Sequence, residues 1–424
     1  MKTLKLLVTI AAMAATILSS CNKDKEITTV DGVTVNVAMP ADFPETAVFA
    51  GTVTINDRNS SFSVTAQAEE GKAVFGKIPF GVYDISASWL LSNEEFKAMA
   101  PDLAVDLSTS VSLTGSSAIV TFASASDAAT PIDLVLRWSV PSSLVFSRIY
   151  NFGTLNLAGK AYNIDKYIEI FNNSAEVQYV DGLYLGEAYG SAPVASAIAD
   201  TGTSDFVYLQ RVSRIPGSGK EYPVEPGKSI VIAQNAKNHI DAEVVTNTVD
   251  LSGADFEAYD EKGSASFFPA DNASVPNLVT DIYAALSSIA KLFVTQGNIP
   301  VLFKCSEEEI KGFETMTPPG YEAYPQFAPS LLKLPADKVI DAVDQMRTGF
   351  ESRGGRHLPL SVDAGYAMVN QKAIVARRIS YKTADGRIVL QDTNNSSNDF
   401  VQITSETEDG AHLKARDYSA PEIQ

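Results

Sequence analysis

Short runs of alternating apolar and polar residues, cut by turn-forming residues, dominate the chain and restrict it to β structure. Val33-Thr34-Val35-Asn36-Val37 alternates with a period of two, as does Gly51-Thr52-Val53-Thr54-Ile55. Asn56-Asp57-Arg58-Asn59 supplies turn chemistry before Ser61-Phe62-Ser63-Val64-Thr65-Ala66. A second series follows Leu144, with Tyr167–Asn172, Val180–Leu185 and Ser229–Ala233 as strands and Gly217-Ser218-Gly219 and Pro226-Gly227 as turns. A strand with one apolar face must bury it against a second layer, so the pattern predicts a mainly β chain of two β-sandwiches. The 424 residues are enough for two or three units with real cores. Composition places the boundaries at residues 32–140 and 144–424, with Pro141-Ser142-Ser143 between them.

Helical signals are few. Asn93–Ala98 reads as a short helix before Pro101, and Ser306 with Glu309 forms a capping box for another. Between Leu278 and Thr295 the apolar positions 279, 282, 286, 289 and 293 recur at helical spacing, predicting an amphipathic helix on a core. Asp281 and Lys291 interrupt that stretch, which excludes a membrane span there.

The first twenty residues carry an address. Lys2 and Lys5 precede an apolar stretch from Leu4 to Leu18, which is too short to span a bilayer and ends in Leu18-Ser19-Ser20-Cys21. That is the plan of a bacterial lipoprotein signal peptide, residues 1–20, with lipidation at Cys21. Acyl chains there would anchor the protein to a membrane without making it span. Residues 21–31 then read as a polar tether. Its opening, Asn22-Lys23-Asp24-Lys25-Glu26, resembles the export tag of Bacteroidota surface lipoproteins. The expectation is an outer-membrane lipoprotein on the cell surface, with the periplasmic face as the alternative. The net charge of −18 becomes −20 once Lys2 and Lys5 are lost. So acidic a chain repels nucleic acid and anionic lipid headgroups, which removes both as partners. Lipidation of Cys21 leaves Cys305 alone, so no internal disulfide is expected, and its apolar run Val301–Cys305 predicts a packed thiol.

Two segments carry family resemblances. Gly71-Lys72-Ala73-Val74-Phe75-Gly76-Lys77-Ile78-Pro79-Phe80-Gly81-Val82-Tyr83-Asp84-Ile85 resembles the transthyretin-like module called the carboxypeptidase regulatory-like domain. Pro79 would fix one turn torsion, Gly81 would permit a positive one, and Tyr83 and Ile85 would alternate into the core. Residues 144–424 resemble an enlarged lamin-tail-like domain, an immunoglobulin-type sandwich. The signs are Tyr167–Ser174, Val180-Asp181-Gly182, the Pro226-Gly227 turn, the paired Arg377-Arg378 and Leu390–Phe400. Against that pattern, residues of about 239–294 and 304–334 read as insertions. The whole order resembles a family of Bacteroidota outer-membrane lipoproteins of unknown function. The resemblance implies an accessory binding or scaffold component beside a TonB-dependent transporter for nutrients or iron. It assigns no catalytic residues.

Motifs for chemistry are sparse. Gly227-Lys228-Ser229 mimics the end of a phosphate loop, but position 222 is Tyr where that loop needs Gly, and a strand follows instead of a helix. His239, His357 and His412 have no second His or Cys at ligand spacing, and no G-x-S-x-G elbow occurs. Asp392, Asn394 and Ser396 alternate oxygen ligands as in a calcium loop. The sixth and twelfth positions hold Ser397 and Ile403 instead of Gly and Glu, and an Asx turn explains the same residues. Asp200–Asp205 carries the same ambiguity. Glu169 and Asp181 could pass for paired carboxylates, but Asp181 is expected to shape its turn and Glu169 to face solvent. Tyr259, Phe267, Phe268, Tyr321, Tyr324 and Phe327 fall in loops, as a binding platform or as filling beneath the loops. No cofactor is predicted. A non-enzymatic surface binding or scaffold protein leads. The alternatives are a carboxylate- or metal-dependent surface hydrolase and a purely structural surface protein.

Overall fold

The computed structural model describes residues 28–404 except 58–59, 61, 104–110, 118–119, 141, 190–205, 247, 261–269, 286–298, 322–324, 348–356, 360 and 371–372. The first unit is a two-sheet sandwich. Its smaller sheet sets Ile132–Val135 parallel to Val33–Ala38, which pairs antiparallel with Lys72–Phe75. Its larger sheet runs Arg137–Ser139, Val111–Ser116, Gly81–Leu91, Thr52–Asp57 and Ser63–Gln67. Alternation explains the packing, because Val33, Val35 and Val37 face inward while Thr34 and Asn36 do not. They meet Val53, Ile55, Tyr83, Ile85 and Leu113 from the larger sheet in one core.

Two details of this unit depart from expectation. The tether predicted for residues 21–31 does not extend to its last residues, because Thr29–Val30 pairs with Ile78–Pro79 and buries Val30. Gly81 has no positive φ and opens a strand. A Cβ there would meet the Tyr83 ring at 3.1 Å, a tight contact that glycine avoids. Tyr83 itself donates its hydroxyl to the Pro79 carbonyl at 2.6 Å.

The second unit is a sandwich of a six-stranded and a seven-stranded sheet, each covered again on its outer face. The front sheet orders Phe256–Glu257, Ser229–Ala233, Tyr167–Asn172, Leu144–Tyr150, Ala373–Arg377 and Phe400–Thr404. The back sheet orders Thr315–Met316, Leu331–Pro335, Phe206–Arg214, Tyr184–Ala188, Ile299–Phe303 and Val339–Ala342, with Val279–Ala284 also paired to Phe206–Arg214. Phe146, Ile168, Ile170 and Val375 pack between the sheets with Leu183, Leu185 and Leu302. On the outer side of the front sheet, Tyr150, Tyr167 and Ile374 lie under Ala236, Val249 and Leu251. Behind the back sheet, Tyr184, Val301 and Phe303 lie under Ile310, Leu358 and Val362. Leu144–Tyr150 and Tyr167–Asn172 are therefore buried at every position.

Both predicted insertions contribute to this double covering. Val249, Leu251 and Val275 of the first stretch cover the front sheet, but Val279–Ala284 is a strand of the back sheet and no part of a helix. Strand pairing overrides helical spacing there, and residues 286–295 of the predicted helix lie outside the described residues. The stretch 304–334 includes the capped helix Glu307–Gly312, while Leu331–Leu334 belongs to the sheet. Ile168→Ala, at the centre of the two-sheet core, should cost about 2–5 kcal/mol in urea unfolding. A loss under 1 kcal/mol would contradict the packing described.

Candidate functional site

The structure concentrates buried charge where a strand breaks its ladder. Leu144–Tyr150 carries a bulge between Phe146 and Arg148, and its pairing to Ala373–Arg377 covers only Arg148 and Ile149. Beyond the bulge, the backbone of Phe146 turns to side chains. Its N–H donates to Asp341 Oδ2 at 2.6 Å and its carbonyl accepts from Arg377 Nε at 2.8 Å. Arg377 also donates to Asp341 Oδ2 at 2.6 Å, to Asp392 Oδ1 at 3.1 Å and to the Gln391 carbonyl at 3.0 Å. Asp399 lies 3.7 Å away, and the Phe400 ring stacks 4.6 Å from the guanidinium. One cation thus joins the front sheet, the back sheet and the segment 391–400.

All of this is buried, and one guanidinium cannot neutralise three carboxylates. Burial pushes Asp341 up to about 7 against the pull of Arg377, with Asp392 adding to the rise. Burial also pushes Asp399 up to about 6. The neighbouring Asp363 is pushed up to about 7 by burial and by Asp344. Each of these carboxyls therefore favours its protonated form more in the fold than in the unfolded chain.

The 391–400 segment is also the joint between the two sandwiches. Asn395 donates to Ser86 Oγ at 3.0 Å and Asn398 to Ser88 Oγ at 3.1 Å, both serines lying on one face of the first unit's longest strand. Tyr366 reaches across to the Asp57 carbonyl at 3.3 Å. Asn394 holds φ at 51°, a left-handed conformation that Asn tolerates, and Asn395 caps the short helix Ser396–Asp399. Gly365 permits the close approach, since a Cβ there would stand 2.1 Å from Asn395 Oδ1. Ser397 Oγ is held between the Tyr366 N–H and carbonyl, each at 3.0 Å. Beside the joint lies an open groove of about 240 Å³ between Asn56, Phe62 and Ser63 of the first unit and Tyr366, Phe400 and Gln402 of the second.

The calcium candidates do not converge on a common point. Asp392 serves Arg377 and the Ser142 N–H, while Ser396 donates its hydroxyl to Asp363. Among the described residues, no group of three or more His, Cys, Asp or Glu side chains is placed to hold a metal ion. Glu169 does not face solvent. It is buried, accepts from Ser229 Oγ at 2.5 Å and lies 3.8 Å from Arg148, because the front sheet is covered on both sides. Asp181 accepts the N–H groups of Gly219, Glu221 and Tyr222 at 2.7–3.3 Å and so shapes that turn. Gly227 turns with φ at 71° directly before the strand Ser229–Ala233. Cys305 is half-buried, and burial pushes its thiol up to about 11.

The aromatic candidates are scattered. Tyr259 is half-buried beyond the edge of the front sheet, and Tyr321 bonds the Tyr189 hydroxyl at 3.0 Å beside the back sheet. Phe327 is 65% exposed. Cys21, Phe267, Phe268, Tyr324 and Asp200–Asp205 lie outside the described residues. Asp344 holds the His357 Nδ1 at 2.6 Å, but it also takes the N–H groups of His357 and Leu358 at 2.6 and 3.0 Å, which makes it the tie of that loop.

Residues 225–407 match the family described as a protein of unknown function (DUF4876). That range holds Arg377 and its three carboxylates. No curated protein matches the chain. Among solved structures, the fold resembles a DUF4876 family protein from Bacteroides thetaiotaomicron VPI-5482. The identity is 22% and the TM-score 0.51, covering 87% of this chain and 94% of that one. At that identity the likeness is one of fold.

Arg377→Met should cost about 3–5 kcal/mol, because it strands buried carboxylates. Urea unfolding checks this, and a loss under 1 kcal/mol would count against the network. The pH dependence has a defined sign. The raised carboxyls add stability fully below about 4, and that stability is lost as pH rises through 6 to 7. His239 opposes this, since burial holds it down to about 4, and its share is lost as pH falls through that value. The comparison is therefore with Asp341→Asn, whose stability should fall less between pH 5 and pH 8 than the wild type's. Parallel curves would show that Asp341 does not titrate in this range.

Proposed function

We propose that the protein is a non-catalytic module held at the outer membrane by lipid on Cys21, binding a ligand or partner for a TonB-dependent uptake system. One observation carries the reading. The buried Arg377 and Asp341 are spent on fastening the Phe146 backbone, and the neutral Asn395 and Asn398 fix two sandwiches against each other beside an open groove. A paired-sandwich architecture with a groove at its joint suits recognition, in keeping with the regulatory-like and lamin-tail-like resemblances. The lipobox Leu18-Ser19-Ser20-Cys21 supports the anchor, and the acidic charge supports a site facing away from anionic headgroups.

The hydrolase alternative would draw on Asp344 and His357. Asp344 is committed to two backbone N–H groups as well as the imidazole, which favours a structural tie.

Metabolic labelling with a fatty-acid analogue tests the anchor. Wild-type protein should take up label and sediment with membranes, and Cys21→Ala should do neither. Label on the variant would overturn the anchor. Affinity purification from detergent-solubilised native membranes should recover a TonB-dependent transporter with the tagged wild type. Recovery of none would overturn the uptake role.

A further inference from the structure

We infer that the groove between the two sandwiches binds a neutral, hydroxyl-rich ligand of the saccharide class, which deepens the binding role proposed above and rests on it. The groove has two kinds of wall. Phe62, Met368 and Phe400 give it apolar surface. Phe62 is steadied edge-on against Tyr83 at 6.2 Å, and Phe400 by its stack on Arg377. Asn56, Ser63 and Gln402 supply the polar part, and the side chains of these three make no hydrogen bond with any described residue. The side-chain amide oxygen of Gln402 is enclosed in the wall with no donor among the described residues.

The chemistry of that set selects the ligand. Amides and a hydroxyl both donate and accept, and sugar hydroxyls need both from their partners. An aromatic and thioether surface suits the C–H face of a sugar ring, which is apolar. No Lys, Arg or His lines the groove among the described residues, and the Asp57 carboxylate there disfavours an anionic ligand. The single carboxylate, Asp57, takes the Ser60 hydroxyl at 2.9 Å, and its carbonyl takes Tyr366. That arrangement fixes the wall. The walls come from different units, so a ligand seated here bonds across the joint and stabilises the docked arrangement in proportion to its occupancy.

The test uses the purified full-length lipoprotein in a detergent without a sugar headgroup. Glucose, galactose, mannose, maltose and cellobiose are titrated by calorimetry, with galacturonate and glucosamine as charged counterparts. At least one neutral sugar should bind saturably and raise the thermal midpoint. Gln402→Ala and Asn56→Ala should each weaken it about tenfold, the scale of one hydrogen bond, while leaving the unliganded midpoint unchanged. Three results would overturn the inference: no neutral sugar binds, binding survives in the double variant, or a charged counterpart binds as tightly. Acylation of Cys21 and recovery of a transporter are read independently, so a failure here leaves the anchored-binder reading standing.

Discussion

The guanidinium of Arg377 is the constraint on which the second sandwich and its junction depend. Taking a charge out of water costs several kcal/mol, and only good geometry with further hydrogen bonds offsets it. Arg377 meets that condition by replacing a missing stretch of β ladder, bonding Phe146 on one side and Asp341, Asp392 and the Gln391 carbonyl on the others. The bulge at Phe146 and Arg148 frees the backbone groups that need those partners. It also turns Phe146 and Ile149 toward the same core. Without the bulge there would be neither room nor need for the cation.

From that point the joint follows. Asp392 and Asp399 hold the two ends of the segment that carries Asn395 and Asn398 onto the first sandwich. Asp363 fixes the same segment from beneath through Ser396. The linker is bound as well, since Ser142 N–H meets Asp392 at 3.0 Å. Chain segments far apart in sequence thus close on one another, and the groove is the space their closure leaves beside the joint.

Much of the scaffold was legible in the sequence and little of the site. Val33–Val37 and Tyr83–Ile85 declare their strands because one face meets solvent or polar neighbours and the other a core. The signal fails where sheets are covered twice. Glu169 reads as a solvent-facing residue of an alternating strand, yet the covering segments place it in the interior. Val279–Ala284 fits a helical spacing, and only its pairing with Phe206–Arg214 decides against it. Arg377-Arg378 and Asp392–Asp399 stand out as motifs, but their meeting with Asp341 and Phe146 is set by long-range topology that no local pattern encodes. The alternating oxygens of Asp392, Asn394 and Ser396 mark an ordered turn, and the turn serves the fold.

The 391–399 segment locks the two sandwiches into one body. Native-state hydrogen exchange measures it directly. The N–H of Thr393 donates to Asp399, that of Ser396 to Asp363 and that of Asn398 to the Asn395 carbonyl. These amides should exchange only with unfolding of the second sandwich, at the same free energy as Ile168 and Val375 in its core. Exchange of the segment at low free energy, while both sandwiches stay protected, would show a loose joint and no lock.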